Sequence, residues 1–310
     1  MKHVRVEYTR AGRVESVHSV SVAVIAGAKT VLLRGETARP VFMRSCAKPF
    51  QSWTVVESGA AEAFGFAPRE IAIMSGSHGG EPDQVAAARS ILRKAGLTPA
   101  VLRCGTHPPT SAKALKALYR ARQEPDVLHN NCSGKHSGMV SATKHLGAKL
   151  ETYLDPAHPL QRRNLATIAR FSGVPAGKIG LGTDGCSAPT FALPLRAMAR
   201  AMAAFVEEGG SAERVREAMM AHPSMVGRPC VNLMSAAPGR ILAKGGAEGV
   251  YLLGLPGKGV GVAIKVEDGN GRPWMAVLAA ILPRLGLGKP ADSAIRNHAG
   301  LEVGEVRVVL

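Results

Sequence analysis

The stretch Val4–Arg34, VRVEYTRAGRVESVHSVSVAVIAGAKTVLLR, alternates apolar and polar residues and is broken by a turn at Ala11-Gly12. Period-two alternation with glycine punctuation predicts two or three antiparallel strands. The same texture returns from Arg240 to Val266: Ile241–Lys244, Val250–Leu255 and Val260–Val266 read as strands, and Pro256-Gly257-Lys258-Gly259 reads as a hairpin turn. Between these ends lie Ala-rich helical stretches, Glu81–Ala95, Ser111–Arg122, Pro159–Phe171, Ala192–Glu208 and Ala212–Ala221. A further helix, Trp274–Leu285, follows the last strand. Strands from both ends can share one sheet with the helical middle folded beside it. The expected fold class is therefore α+β. A doubly wound sheet would alternate strands and helices throughout, and that pattern is missing. No internal repeat or low-complexity linker appears. The whole chain, 1–310, is expected to fold as one unit, with a sheet lobe of about 1–44 and 236–310 and a helical lobe of about 45–235.

With 310 residues, 46% of them apolar, the chain can bury a large core, which excludes a disordered protein. The longest apolar stretches, Val20–Ala28 and Met275–Leu282, are shorter than the roughly 18–20 residues of a membrane helix. Met1-Lys2-His3-Val4-Arg5 runs into alternating residues and not into a signal-peptide core, so the expected location is cytoplasmic, with no membrane partner. Thirty-nine basic against 23 acidic residues leave a net charge of +16. The basic residues are spread along the chain, no run of five occurs, and no aromatic stacking motif accompanies them, so nucleic acid is not an expected partner. Five scattered cysteines, Cys46, Cys104, Cys132, Cys186 and Cys230, do not make a disulfide framework; buried thiols, metal ligands and a reactive thiol all remain open.

Polar, glycine-rich segments carry the chemistry. They are RSCAKPF (44–50), SGSHGGEP (75–82), HNNCSGKHSG (129–138), GTDGCSAP (182–189) and AKGGAEG (243–249). Ser45 and Lys48 have S-x-x-K spacing, which at a helix start places a lysine amine beside a serine hydroxyl. A neutral lysine there can take the serine's proton. The same tetrad also describes an N-cap serine followed by a solvated lysine. Lys244 on a predicted strand shifts the balance, because serine penicillin-hydrolysing enzymes combine S-x-x-K, a second serine or tyrosine, and K-[ST]-G on a strand. Gly245 replaces the hydroxyl residue of that last motif. Ser77, flanked by Gly76, Gly79 and Gly80, falls in the interval for the second serine, although a turn before a helix reads equally well. Cys132 and Cys186 are candidate metal thiolates or buried structural thiols.

The strings MRSCAKPFQ, SGSHGGEP, HNNCSGKHSGM, GTDGCSAPTF, GRPC and AKGGAEGV together resemble the asparaginase II family, the rhizobial-type L-asparaginases, over essentially the whole chain. That family is similar to serine β-lactamases and Ser/Lys glutaminases and distinct from the threonine-nucleophile asparaginases. The resemblance implies two catalytic pairs, Ser45 with Lys48 and Ser77 with Lys244. It implies zinc on Cys132, Lys135 and Cys186, with the lysine neutral. Asp184 and His136 would contact substrate or support the metal ligands, and Arg44 would lie near the substrate carboxylate. The implied activity is hydrolysis of L-asparagine to L-aspartate and ammonia through an acyl-enzyme, with no organic cofactor. Its oxyanion would be held by backbone N–H groups of Ser45 and of the strand after Lys244. A homodimer is implied as well. The competing expectations are a related amidase, an esterase or a β-lactamase-like hydrolase on the same Ser–Lys frame, and a non-enzymatic zinc or nucleic-acid-binding protein.

Overall fold

The computed structural model describes residues 1–288 and 292–310; positions 289–291 of the expected C-terminal share of the sheet lobe lie outside the described residues. Eleven strands are described: β1 (Val4–Arg10), β2 (Arg13–Ala26), β3 (Lys29–Arg34), β4 (Pro40–Phe42), β5 (Gly180–Thr183), β6 (Pro189–Pro194), β7 (Leu242–Gly245), β8 (Val250–Leu255), β9 (Val260–Val266), β10 (Ala294–Arg296) and β11 (Glu302–Val309). Both ends of the chain do share one antiparallel sheet, in the order β10-β11-β1-β2-β9-β8-β7, with β3 also paired to β2. The register joins the termini directly, Val6 opposite Val308 and Val22 opposite Ile264. The chain is α+β, as its terminal alternation predicts.

Twelve α-helices complete the described chain: α1 (Lys48–Glu57), α2 (Ala60–Ala63), α3 (Pro68–Met74), α4 (Pro82–Lys94), α5 (Ala112–Ala121), α6 (Ser133–His145), α7 (Pro159–Ser172), α8 (Leu195–Glu207), α9 (Ser211–Ala221), α10 (Pro223–Val226), α11 (Cys230–Ala236) and α12 (Trp274–Ile281). The helix expected over Ala192–Glu208 starts later, at Leu195. Residues 189–194 form β6, which pairs with β4 and β5 in a small second sheet. Pro194 explains the boundary, because the residue before a proline is driven into extended backbone.

Two helices sandwich the large sheet. On one face α8 approaches so closely that a Cβ at Gly261 would lie 2.0 Å from the Ala199 carbonyl oxygen, and one at Gly254 would lie 2.4 Å from Val206 Cγ1. On the other face lies α12, whose Trp274 packs on Tyr251 with ring centroids 5.2 Å apart. Because side chains alternate along a strand, Lys244 and Gly245 point to opposite faces. Gly245 belongs to the Tyr251–Trp274 face, and Lys244 points to the helices. Phe50, Phe171 and Phe205 pack against one another at 5.0–5.6 Å, joining α1, α7 and α8 into that helical layer. No helix among the described residues is long and apolar enough to cross a membrane.

Candidate active site

Three separate chain segments converge on Ser77. Lys48 opens α1, Ser77 follows α3, and Lys244 lies in β7. The loop holding Ser77 is fixed by close backbone approaches. Gly134 and Gly138, one turn apart on α6, admit α3; a Cβ at Gly134 would lie 2.5 Å from the Ile73 carbonyl oxygen, and one at Gly138 would lie 2.8 Å from Met74 Sδ. A Cβ at Gly76 would lie 2.2 Å from the Met225 carbonyl oxygen. Only glycine fits such contacts. The Ser77 N–H donates to Val226 O at 2.9 Å and the His78 N–H to Asn131 O at 3.2 Å. His78 is held as neutral imidazole: its Nδ1 accepts from the Gly80 N–H at 3.1 Å, and its Nε2 donates to Ser133 Oγ at 2.8 Å. Burial, with Lys48 nearby, lowers its pKa to about 3, so it ties the loop to α6 and carries no charge.

Ser77 Oγ lies between two lysines. Lys48 Nζ donates to it at 2.9 Å and Lys244 Nζ at 3.0 Å, and both lysines are 1% exposed. Lys48 Nζ also donates to Gly76 O at 2.6 Å and to Asn131 O at 3.4 Å; Lys244 Nζ also donates to Gly245 O at 2.6 Å. Burial lowers the Lys48 pKa to about 8. The charge of Cys132 opposes that fall, and Lys244 and Lys135 reinforce it. Near neutral pH Lys48 therefore exchanges its proton readily, and once neutral its lone pair can accept from Ser77.

Ser45 makes no hydrogen bond with this group among the described residues. It lies in the 3-10 turn Arg44–Ala47 that precedes α1, and its hydroxyl has no partner among the described residues. The expected Ser45–Lys48 pair is thus not hydrogen-bonded here, where the Lys48 amine bonds Ser77 instead. S-x-x-K spacing brings the two onto the same turn, but the Gly76 and Asn131 carbonyls draw the amine to Ser77. The residue after β7 nevertheless lies close to Ser45, since a Cβ at Gly246 would lie 3.3 Å from the Ser45 nitrogen. Of the backbone N–H groups after Lys244, where an oxyanion donor is expected, the first two already have acceptors. The Gly245 N–H donates to Cys230 Sγ at 3.1 Å and the Gly246 N–H to Val250 O at 2.8 Å. The Ser45 N–H has no acceptor among the described residues.

Next to this group is a cluster of thiols. Cys132 caps the N-terminus of α6, where the helix dipole favours a thiolate. Its pKa is driven down first by a hydrogen bond from the Cys186 thiol, then by Lys48 and Lys135, against the effect of burial. Cys186 is raised because it holds the proton the pair shares. Lys135 Nζ donates to Cys186 Sγ at 3.0 Å. Burial works to neutralise Lys135, and the two sulfurs outweigh it, so its pKa is raised. No group of three or more His, Cys, Asp or Glu side chains suited to a metal occurs among the described residues. The donors gathered here are two sulfurs and one amine. Soft thiolates with a nitrogen donor suit zinc.

The remaining expected residues surround the cluster. His136 is fully buried: its Nδ1 accepts from Tyr153 Oη at 2.7 Å, and its Nε2 has no oxygen or nitrogen partner and faces Cys186. Burial lowers its pKa to about 4. It supports the sulfur. Arg44 and Asp184 bind each other, Nε to Oδ1 at 2.8 Å, and the Gly185 N–H also donates to Asp184 at 2.9 Å. The Asp184 pKa is lowered: burial opposes ionisation, and Lys135 with Arg44 overcomes it. Arg44 adopts a φ of +50°, the left-handed region, at a cost on the order of 1–3 kcal/mol. Sequence reading missed Asn131. Its backbone oxygen anchors Lys48, and its Oδ1 lies 2.9 Å from Cys132 Sγ. The residue lies inside HNNCSGK, but a role played by a carbonyl leaves no side-chain signature.

The L-asparaginase II family matches residues 6–308. The chain belongs to the L-asparaginase II family. Membership supports an amidohydrolase role. No curated protein matches. Among solved structures, Mglu in its native form is similar at 14% identity, covering 86% of this chain and 65% of its own, with a TM-score of 0.39. A β-lactamase from Mycobacterium bovis is similar at 15% identity, covering 86% of this chain and 95% of its own, with a TM-score of 0.42. The chain thus spans about two thirds of the Mglu structure's length.

Proposed function

We propose that this L-asparaginase II family member hydrolyses the side-chain amide of L-asparagine through a serine acyl-enzyme served by two buried lysines. The single observation that carries the reading is the Ser77 hydroxyl held by Lys48 at 2.9 Å and Lys244 at 3.0 Å. A surface lysine has no use for such enclosure; a proton conduit does. In this reading Ser45 turns its hydroxyl to the neutral Lys48 amine and attacks the amide carbon, and the Ser45 N–H donates to the developing oxyanion. Ser77 gives its proton to the departing nitrogen and is replenished from Lys244. Water then releases L-aspartate. Arg44, already oriented by Asp184, turns its remaining guanidinium N–H groups toward the substrate carboxylate.

Zinc belongs to the same proposal. Cys132, Cys186 and Lys135 would hold it, the lysine giving up its proton on binding. When bound it supplies a fixed positive charge between the segments 129–138 and 182–189. His136 keeps the Cys186 sulfur oriented. A homodimeric, cytoplasmic protein completes the reading.

A second reading is favoured by one observation: Ser77, and not Ser45, is the hydroxyl that touches both amines. In that reading Ser77 is the nucleophile. Ammonia release from L-asparagine tests the activity, and mass spectrometry of the quenched acyl-enzyme locates the adduct. Ser45→Ala should lose most activity. Near wild-type turnover by Ser45→Ala would move the nucleophile to Ser77.

A further inference from the structure

Ser77 has a second neighbourhood. It lines a cavity of about 590 Å³ shared with Glu81, Ser111, Lys113, Ser224 and Arg228. None of the residues of the thiol cluster borders this space, nor do Ser45 and the two buried lysines. Its charge is lopsided. Lys113, in the first turn of α5, and Arg228 are both exposed cations on its wall. The one carboxylate, Glu81, accepts from the Ser111 hydroxyl, and the two cations outnumber it. The cavity therefore offers a positively charged space bordered by Ser77.

Under the proposed acyl-transfer reading, on which this inference rests, Ser77 protonates the departing nitrogen. Whatever that nitrogen carries lies on the Ser77 side of the bond being broken. With asparagine it carries only hydrogen. Ammonia is the size of a water molecule and needs about 30 Å³. A cavity of about 590 Å³ is in the range that holds a much larger ligand.

We propose that the enzyme also cleaves L-aspartyl β-amides whose leaving amine bears a carboxylate, β-aspartyl amino acids, with Arg228 and Lys113 binding that carboxylate. The serine oxygen bonds to the side-chain carbonyl carbon, the C–N bond breaks, and the nitrogen takes the Ser77 proton and leaves as a free amino acid. Water then cleaves the ester to L-aspartate. The sum is one amide and one water giving two amino acids, with no other reactant.

The test follows glycine release from β-aspartyl-glycine beside ammonia release from L-asparagine, using the purified full chain. Glycine is expected. Arg228→Ala combined with Lys113→Ala should lower kcat/KM for β-aspartyl-glycine about tenfold or more, the scale of a lost charge-assisted contact, and leave L-asparagine within about twofold. N4-ethyl-asparagine, similar in bulk and uncharged, should be cleaved more slowly than β-aspartyl-glycine and at the same rate by the double variant. Ammonia without glycine overturns this inference and leaves the asparaginase reading standing. Glycine release that the double variant does not slow, or an equal loss on both substrates, overturns the assignment to Arg228 and Lys113. Release of neither product overturns the asparaginase reading and this inference with it.

Discussion

Lys48 and Lys135 are enclosed to nearly the same degree, at 1% and 3% exposure, yet burial has opposite outcomes for them. Around Lys48 the partners are two carbonyls and a hydroxyl, with Lys244 close by, and the pKa falls to about 8. Around Lys135 stand Cys186, Cys132 and Asp184, and the pKa rises. Desolvation pushes both amines toward neutrality, and the counter-charges decide which of them yields. One lysine is poised to exchange a proton. The other is held as a cation, and in the proposed zinc site a metal would take the place of its proton.

The difference can be broken from either side. Lys48→Met removes the exchangeable amine, and kcat/KM for L-asparagine should fall by about a thousandfold or more in an ammonia assay, at the upper end of general-base contributions. Survival of a tenth of the activity would remove Lys48 from the chemistry. The pH profile gives the next largest change. A lysine with a lowered pKa acts as a base only once deprotonated, so kcat/KM should rise with pH through about 8 and level off above it. A profile flat across that range would show that Lys48 is not the titrating base.

On the Lys135 side, Cys186→Ser removes one of the two soft donors. Protein purified without added metal should carry about one zinc per chain as wild type and far less as the variant, by elemental analysis. Equal metal in both proteins would exclude Cys186 as a ligand. The smallest effect is expected at Gly245, where the hydroxyl usual in K-[ST]-G is missing. A Cβ there would make ordinary 3.4 Å contact with the Tyr251 ring, on the face away from Lys244. Gly245→Ser should change kcat/KM by less than about threefold, a typical surface-scale effect.

The sheet was legible because both ends of the chain alternate, and β1, β2, β8 and β9 fall where the pattern places them. α6 was not. Ser133–Thr143 is buried on every side, so its small and polar residues show no amphipathic stripe. β4 is only three residues long, and its partner β6 is distant in sequence, Pro40 lying opposite Pro194, which no local pattern records. Of the site, the residue types and loops were readable, and Ser77 and Lys244 do meet. The position of the Lys48 amine was not, because it depends on the carbonyls of Gly76 and Asn131, supplied by the fold and not by spacing.

The shared hydroxyl is open to direct measurement. Steady-state ammonia release from L-asparagine by Ser77→Ala, with folding checked by circular dichroism, should fall by at least about a hundredfold relative to wild type, the scale of a lost acid–base group. A well-folded Ser77→Ala protein that still turns over at near wild-type rate would show that the hydroxyl between the two lysines takes no part in the reaction.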